Sequence, residues 1–536
     1  MTEDSAQITW DVVVIGAGLG GGVFGRQLAE AGYRVLFVDR GHIGPRDATG
    51  AMESDRTDPE ERNRAGCWPA PVEATVNGVT TSGWGAQGTG PGGTSVFCAA
   101  AMERPERHDI EDVADLRHPT GGWPVGHDAF TPWFDKARSL MAVNGTPDPL
   151  GEPVSGMATP LPPPEAEIAL GAAFEAAGLH PYRAHLGIRQ LPGCQQCLGR
   201  RCPRACKMDG RSAGVDPALA TGNATFWDRT AALALESEGG AISGLRVLRG
   251  GRETVVRARH YVLAAGGFGS PRLLLASRSE DWPQGCANSS GLVGRGLMFH
   301  LNERIALWPG RSAKSGHGAA KPFSLRDFYR DGADRLGLFQ SLGLPADYGN
   351  ILMVLRQRYD RSALRRIRIG RPLLRIPARI AALALGDARV YVGILEDMPH
   401  DRNRVIYDPA RPDTIIYDYV IDEELRARRS RYRRMIKRRL KGIRSLFLHD
   451  APELNIAHPC GTLRFSYDPK KGVLDPDCRA HDVRNLWCVV SSFMPTSTGV
   501  NPGMTIVANA LRVADRLTAA LQAKMQAADT AARSSR

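Results

Sequence analysis

The chain has 536 residues, of which 43% are hydrophobic and 24% charged, with 59 glycines and 36 prolines. That length exceeds what a single hydrophobic core supports, so two or more domains are expected in a loop-rich globular protein. No apolar run reaches the ~18 residues that a membrane-spanning helix needs, which excludes such a helix. Met1 to Ile8 is polar and acidic and reads as neither a secretory nor a transit peptide, so a cytoplasmic chain is expected. The ten cysteines are then read as thiols or metal ligands before disulfides.

Charge is unevenly placed. Segment 356–379 holds nine arginines against one acid, Asp360, and segment 426–444 holds eleven Lys or Arg and no acid. Together they exceed the chain's +12, so the remainder is net negative. With no recognisable binding motif elsewhere, no nucleic-acid partner is expected.

In chain order, Trp10 to Ile15 is a β-branched run that ends at Gly16-Ala17-Gly18-Leu19-Gly20-Gly21. A helical pattern follows (Val23, Phe24, Leu28, Ala29), then a second strand, Arg34 to Val38, closed by Asp39. This is G-x-G-x-x-G between a strand and a helix. Gly16 suits the tight turn, Gly18 lets backbone approach a pyrophosphate beside Leu19, and Gly21 lets the helix pack on the strand. Asp39 stands where a carboxylate accepts ribose hydroxyls. The pattern predicts a dinucleotide site without choosing FAD over NAD.

Cys194, Cys197, Cys202 and Cys206 fall within thirteen residues. Thiolates so spaced can hold zinc or iron–sulfur, although the spacing matches neither a ferredoxin nor a zinc ribbon; structural thiols are the alternative. In the first basic segment, Pro372 and Pro377 rule out one continuous helix. The second, Leu425 to Leu448, repeats apolar residues at helical spacing beneath a polybasic face. A solvated face on a packed helix is one outcome; contact of the basic segments 356–379 and 426–444 with an anionic membrane surface or an acidic protein is the other. Ile406 to Val420 alternates like sheet strands, Thr505 to Leu521 has helical period, and Ala527 to Arg536 reads as a disordered tail.

Further blocks carry a family resemblance. They are Gly92-Gly93-Thr94-Ser95, Ala264-Ala265-Gly266-Gly267-Phe268-Gly269-Ser270-Pro271, and His458-Pro459-Cys460-Gly461-Thr462. Gly472-Val473-Leu474-Asp475, Pro495-Thr496 and Asn501-Pro502-Gly503-Met504-Thr505-Ile506 follow. In this order, from residue 10 to about 520, they resemble the glucose-methanol-choline (GMC) oxidoreductases. The resemblance implies an α/β fold: a discontinuous Rossmann-type FAD domain (1–115, 210–305 and 455–524) and an α+β substrate domain with an antiparallel sheet (116–209 and 306–454), ahead of a tail at 525–536. It implies FAD contacts from Gly16, Gly18, Leu19, Gly21, Asp39, Gly92, Gly93, Thr94, Ser95, Ala265, Gly266, Asn501, Pro502 and Thr505.

The same resemblance implies that His458 is the base and Asn501 its partner in oxidising a primary or secondary alcohol. A sugar, aminosugar or polyol is the favoured substrate, with oxygen or another acceptor collecting the electrons. Imidazole suits proton removal because it titrates near neutrality. His300 follows a matched block and is a weaker candidate. Phe97 stands where some members carry a flavin-linked His and Cys98 where many have Asn, so non-covalent FAD is expected. Val490 replaces a common acid. The cysteine run is similar to the loop of bacterial sugar dehydrogenases that holds an iron–sulfur cluster, although Gln196 interrupts the match. An acceptor-linked iron–sulfur dehydrogenase and a GMC-type lyase or decarboxylase are the alternatives. Cys460 is expected to be a packing residue.

Overall fold

The computed structural model describes residues 9–46, 50–52, 56–310, 320–362, 364, 367 and 369–534. Arg365, Arg366 and Arg368 of the first basic segment and residues 1–8 lie outside them. The chain opens with β1 (Trp10–Ile15), α1 (Leu19–Glu30) and β2 (Val35–Val38), then returns much later with β3 (Ala224–Trp227), β4 (Ala258–Leu263) and α2 (Gly266–Ala276). Next come three antiparallel strands, β5 (Leu301–Leu307), β6 (Phe339–Pro345) and β7 (Arg389–Leu395). Between β6 and β7 stand α3 (Tyr348–Arg361) and α4 (Arg375–Leu385); α5 (Glu423–Arg439), β8 (Leu486–Cys488) and α6 (Gly503–Ser534) follow.

One sheet is wholly parallel, in the order β8-β4-β1-β2-β3. Its central strand pairs Val13 with Tyr261 on one side and Leu36 on the other, and Val12 to Val14 are fully buried. A continuous apolar strand is what a parallel sheet covered on both faces requires. α1 and α6 pack against each other beside this sheet. The apolar core around it draws residues from both ends of the chain, from Val12 to Leu521.

The second sheet is antiparallel: β5 pairs with β7 and β7 with β6, and the strand 182–183 joins at one edge. Its core, including Phe299, Leu301, Phe339 and Tyr391, is separate from the first. Two segments cross the expected domain limits. β5 runs unbroken past residue 305, and Val72–Val76 pairs in parallel with Ile415–Tyr419 rather than joining the nucleotide sheet.

The tail also differs from expectation, because α6 continues as helical backbone to Ser534. Its Ala-rich sequence has high helix propensity, which apolar periodicity alone does not reveal. The predicted helix at 425–448 ends at Arg439, where Leu440 and Gly442 break it, and Ser445–Phe447 is a strand.

Candidate active site

The turn after β1 is built from contacts that only glycine allows. Gly16 has φ +98°, and a Cβ there would lie 2.6 Å from Ala264 O at the end of β4. A Cβ on Gly20 would lie 1.8 Å from Val489 O, just past β8; this tie is absent from the sequence motif. Gly18 is different, since a Cβ there would meet only one atom, at 3.8 Å. Packing of the chain itself explains Gly16, Gly20 and Gly21, whereas at Gly18 the room is left for something else.

Asp39 does more than the motif assigns. Its Oδ2 accepts the Ala17 N–H (2.9 Å), and its Oδ1 accepts those of Gly41 and Gly90 (2.8 Å each). The carboxylate thereby ties the turn to the loop before Gly92 and keeps lone pairs for a ribose hydroxyl. In that loop Gly92 N–H donates to Ala17 O (2.7 Å), and the Gly93 Cβ position lies 3.2 Å from Gly18 Cα. Thr94 Oγ1 accepts from Gly88 N–H and Ser95 Oγ from Gly210 N–H, both at 2.9 Å. Leu19 begins α1 in the same turn.

From the other side, Ala265 caps α2 and Gly266 takes φ +75°. A Cβ on Gly267 would sit 2.3 Å from Pro459 O, so this junction brings the His458 block against α2. Thr462 Oγ1 donates to Gly267 O (2.8 Å) and fixes it. Pro502 leads into α6, where the buried Thr505 Oγ1 has no hydrogen-bond partner. An open position at Gly18 and an orphaned hydroxyl at the start of α6 both fit a dinucleotide cofactor lying across the carboxyl ends of the parallel strands. Val490 is buried and apolar there and supplies no polar contact.

Four side chains bring the nucleotide half and the antiparallel sheet together at His458. His300 is fully buried, and burial lowers it to about 4, so it stays neutral. Its Nε2 lies 3.0 Å from Thr498 O, with Val500 O also facing the ring, so Nε2 carries the proton and Nδ1 is bare. His458 Nδ1 is 3.2 Å from that bare nitrogen, and two lone pairs do not face each other at this distance. His458 Nδ1–H therefore donates to His300, and Asn455 Nδ2, 3.2 Å from the same Nδ1, is left to donate to Asn302 Oδ1 (3.5 Å). The consequence is a bare His458 Nε2. Burial, then the neighbouring His300 and the Lys321 ammonium, hold this imidazole well below its usual value.

Asn501 follows directly on Val500. Its Oδ1 accepts from Gln340 Nε2 on β6 (2.8 Å), which leaves the Asn501 amide N–H groups uncommitted. Next to Gln340, Ser341 O accepts from Lys321 Nζ (2.6 Å). Lys321 is buried, and burial lowers it to about 7. Among the described residues no carboxylate lies within ion-pairing distance of it. Lys321 also walls a cavity of about 200 Å³ lined by Asn144, Arg183, Gln190, Gln196 and the proline run 160–164. Sequence reasoning missed Gln340 and Lys321 because neither lies in a motif.

The cysteine run folds into a small apolar cluster with Leu186, Ile188 and Leu198. The thiols touch in series, Cys194 to Cys206, Cys206 to Cys202 and Cys202 to Cys197, and burial with these contacts pushes Cys206 up to about 12. Among the described residues no group of three His, Cys, Asp or Glu is disposed to hold a metal ion. Lys207 anchors this loop. Its buried ammonium is surrounded by the carbonyls of Val96 (2.7 Å), Cys98 (3.1 Å), Cys197 (3.1 Å) and Arg200 (2.5 Å), joining the loop to the segment after Ser95. Cys460 is buried in the core, as expected of a packing residue.

The chain is similar to known proteins over most of its length. Two family profiles, each described as GMC oxidoreductase, match residues 74–302 and 399–510. Paromamine 6'-oxidase of Streptomyces fradiae is 30% identical, covering 96% of this chain and 92% of its own. A 6'''-hydroxyparomomycin C oxidase of Streptomyces lividus is 29% identical over 97% and 93%. Among solved structures, pyridoxine 4-oxidase from Mesorbium loti shares the fold with TM-score 0.61 at 21% identity, covering 95% of this chain and 99% of its own.

Proposed function

The chain belongs to the GMC oxidoreductases, FAD-dependent enzymes acting on CH–OH groups, and from that premise we propose that it oxidises a sugar or polyol alcohol with His458 as the base. The observation that carries this reading is His458 Nδ1 set 3.2 Å from His300 Nδ1, whose ring faces Thr498 O through Nε2, an arrangement in which His458 Nε2 is the nitrogen left for the substrate.

Gly18, the loop Gly92–Ser95, Asp39, Ala265, Gly266, Pro502 and Thr505 hold the cofactor in this reading. Bound FAD supplies the acceptor for the hydride that the alcohol carbon gives up. The residues do the rest. His458 Nε2 takes the hydroxyl proton, so that no positive charge is stranded on the carbon. Asn501 donates its free N–H to the substrate oxygen and holds it as negative charge develops. Gln340 keeps the Asn501 amide turned that way.

The cavity walled by Lys321 is lined by neither His458 nor Asn501, and this reading assigns it to the end of the substrate away from the reacting carbon. Its described lining carries Arg183 and Lys321 and no acid, which suits an oxygen-rich alcohol better than one bearing amines. In this it departs from what the names of the two relatives suggest. No electron path runs through the cysteines in this reading, and oxygen or another acceptor takes the electrons. The deciding experiment is anaerobic mixing of the FAD-loaded protein with a panel of polyols and sugars. Bleaching of the flavin band by one of them, lost in His458→Ala, is the expected result. A chain that turns over substrate while its flavin stays oxidised is instead a lyase or decarboxylase, and the reading fails.

A further inference from the structure

The helical hairpin between β6 and β7 is built inside out. α4 turns Ala378, Ala381 and Ala382 toward the protein and the large side chains of Ile376, Ile380 and Leu383 outward, 61%, 63% and 78% exposed. These three recur at i, i+4 and i+7, so they form a single stripe. A helix packed for water alone presents the reverse order. Before α4 the chain adds Leu364, Ile367, Ile369 and Leu373, each more than half exposed. Scattered exposed aliphatics are ordinary, but seven within twenty residues make a patch.

Positive charge frames the stripe. Arg375 and Arg379 stand exposed beside it, and among the described residues no carboxylate lies within ion-pairing distance of either. At the far end Trp308 Nε1 donates to Leu385 O (3.0 Å) and carries the Arg444 guanidinium 4.3 Å above its ring, next to the exposed Leu446.

The second basic segment behaves differently. On α5, Arg429 and Arg433 both pair with the buried Glu303, Arg431 with Asp334, Arg428 with Glu424 and Arg438 with Asp331. Those five arginines are used within the protein, as are Arg358 and Arg371 of the first segment, which pair with Glu453 and Asp360, whereas Arg375 and Arg379 beside the stripe are left over.

We infer that the outward face of α4, with the preceding turn from Leu364, docks on an anionic lipid bilayer, seating its aliphatic stripe among the acyl chains and its arginines among the headgroup phosphates. Apolar side chains flanked by unpaired arginines match the two layers of a bilayer surface in composition and order. No helix among the described residues is long and apolar enough to cross a membrane, so the contact is peripheral. Pro377 lies in the first turn of α4, where its missing N–H costs no hydrogen bond, so the helix is preformed.

The test is flotation of the FAD-loaded protein with two kinds of vesicle, phosphatidylcholine alone and phosphatidylcholine containing roughly a third phosphatidylglycerol. The protein is expected to float with the anionic vesicles and not with the neutral ones, and to be released by high salt. Two variants decide the face: Ile376→Ser/Ile380→Ser/Leu383→Ser, and Arg375→Gln/Arg379→Gln. Each is expected to weaken vesicle binding roughly tenfold or more while flavin content and substrate-driven flavin reduction stay as in the parent. If the serine variant folds poorly, the glutamine variant alone carries the decision. Equal flotation of parent and variants overturns the proposal, as does failure of the parent to float. A parent that is dimeric, becomes monomeric in the serine variant and ignores vesicles also overturns it, because a second copy then covers the stripe.

Discussion

Gln340 donates its side-chain amide to Asn501 Oδ1 at 2.8 Å, and this contact decides which end of the Asn501 amide faces the substrate. With Oδ1 occupied, only N–H groups point outward, and only N–H stabilises a developing alkoxide. Gln340→Leu keeps the volume and removes the donor. Flavin reduction is expected to slow about tenfold, or ~1.4 kcal/mol, with KM changed much less. Stopped-flow reduction at saturating substrate measures this; an unchanged limiting rate refutes the orienting role.

The environment of His458 makes a prediction about pH. A buried imidazole beside a cation is hard to protonate, so the base stays bare, and the rate is expected to hold as pH falls well below 6.5. Lys321, lowered to about 7, is protonated throughout that acid range. Removing its charge in Lys321→Met lets the imidazole bind a proton more readily, which raises its value. The acid limb of the limiting reduction rate is therefore expected to move to higher pH in this variant. A limb that stays in place, or moves lower, contradicts the arrangement. His458→Ala itself is expected to lose about 10²- to 10⁴-fold in the same rate.

Lys321 also predicts how the site ranks substrates by charge. D-gluconate, D-glucitol and D-glucamine share a polyol chain and differ at one end, being anionic, neutral and cationic. Apparent affinity, read from the concentration dependence of flavin reduction, is expected to fall in that order. Lys321→Gln is expected to erase most of the gap between the first two, and Lys321→Glu to favour the amine. A ranking indifferent to both substitutions removes Lys321 from the substrate wall without touching the role of His458.

Two glycines of one motif are expected to fail in different ways. Gly20→Ala drives a Cβ into a backbone oxygen at 1.8 Å, with no flexible side chain to give way, and is expected to cost ~3 kcal/mol or more of stability. Gly18→Ala meets nothing closer than 3.8 Å. It is expected to yield a soluble chain with near-parental thermal stability in the flavin-free state but little bound flavin. Thermal melting and the visible spectrum separate the outcomes. A yellow Gly18→Ala protein with unaltered FAD affinity defeats the assignment of that opening to the cofactor.

Much of the nucleotide half was legible in sequence because its signals are local. Trp10 to Gly21 and the strand ending at Asp39 read directly as strand, turn, helix and strand. The helical period after Thr505 marked α6, although not its extension to Ser534. What sequence could not supply were side chains made neighbours by the second sheet. Lys321 and Gln340 reach the site of His458 and Asn501 from two separate stretches with no fixed spacing to betray them, and His300, a candidate by its place after a matched block, shows its contact with His458 only in the fold. Asp39 was read as a ribose ligand because a motif records what a carboxylate offers outward, not the three backbone amides it already holds. The basic segments looked alike as strings of arginine, and only the fold shows which arginines find acids and that Arg375 and Arg379 do not. The four cysteines were seen, but their order of contact depends on the fold of their loop, which is pinned by Lys207.

The contact of Gly20 with Val489 O has a consequence for biosynthesis. The edge strand β8 and the helix α6 leave the ribosome long after β1 and α1. Until then the first βα unit lacks the neighbours that its glycines were selected to meet. The first βα unit therefore stays without its packing partners until that late segment arrives, so the nucleotide half can close only late in folding.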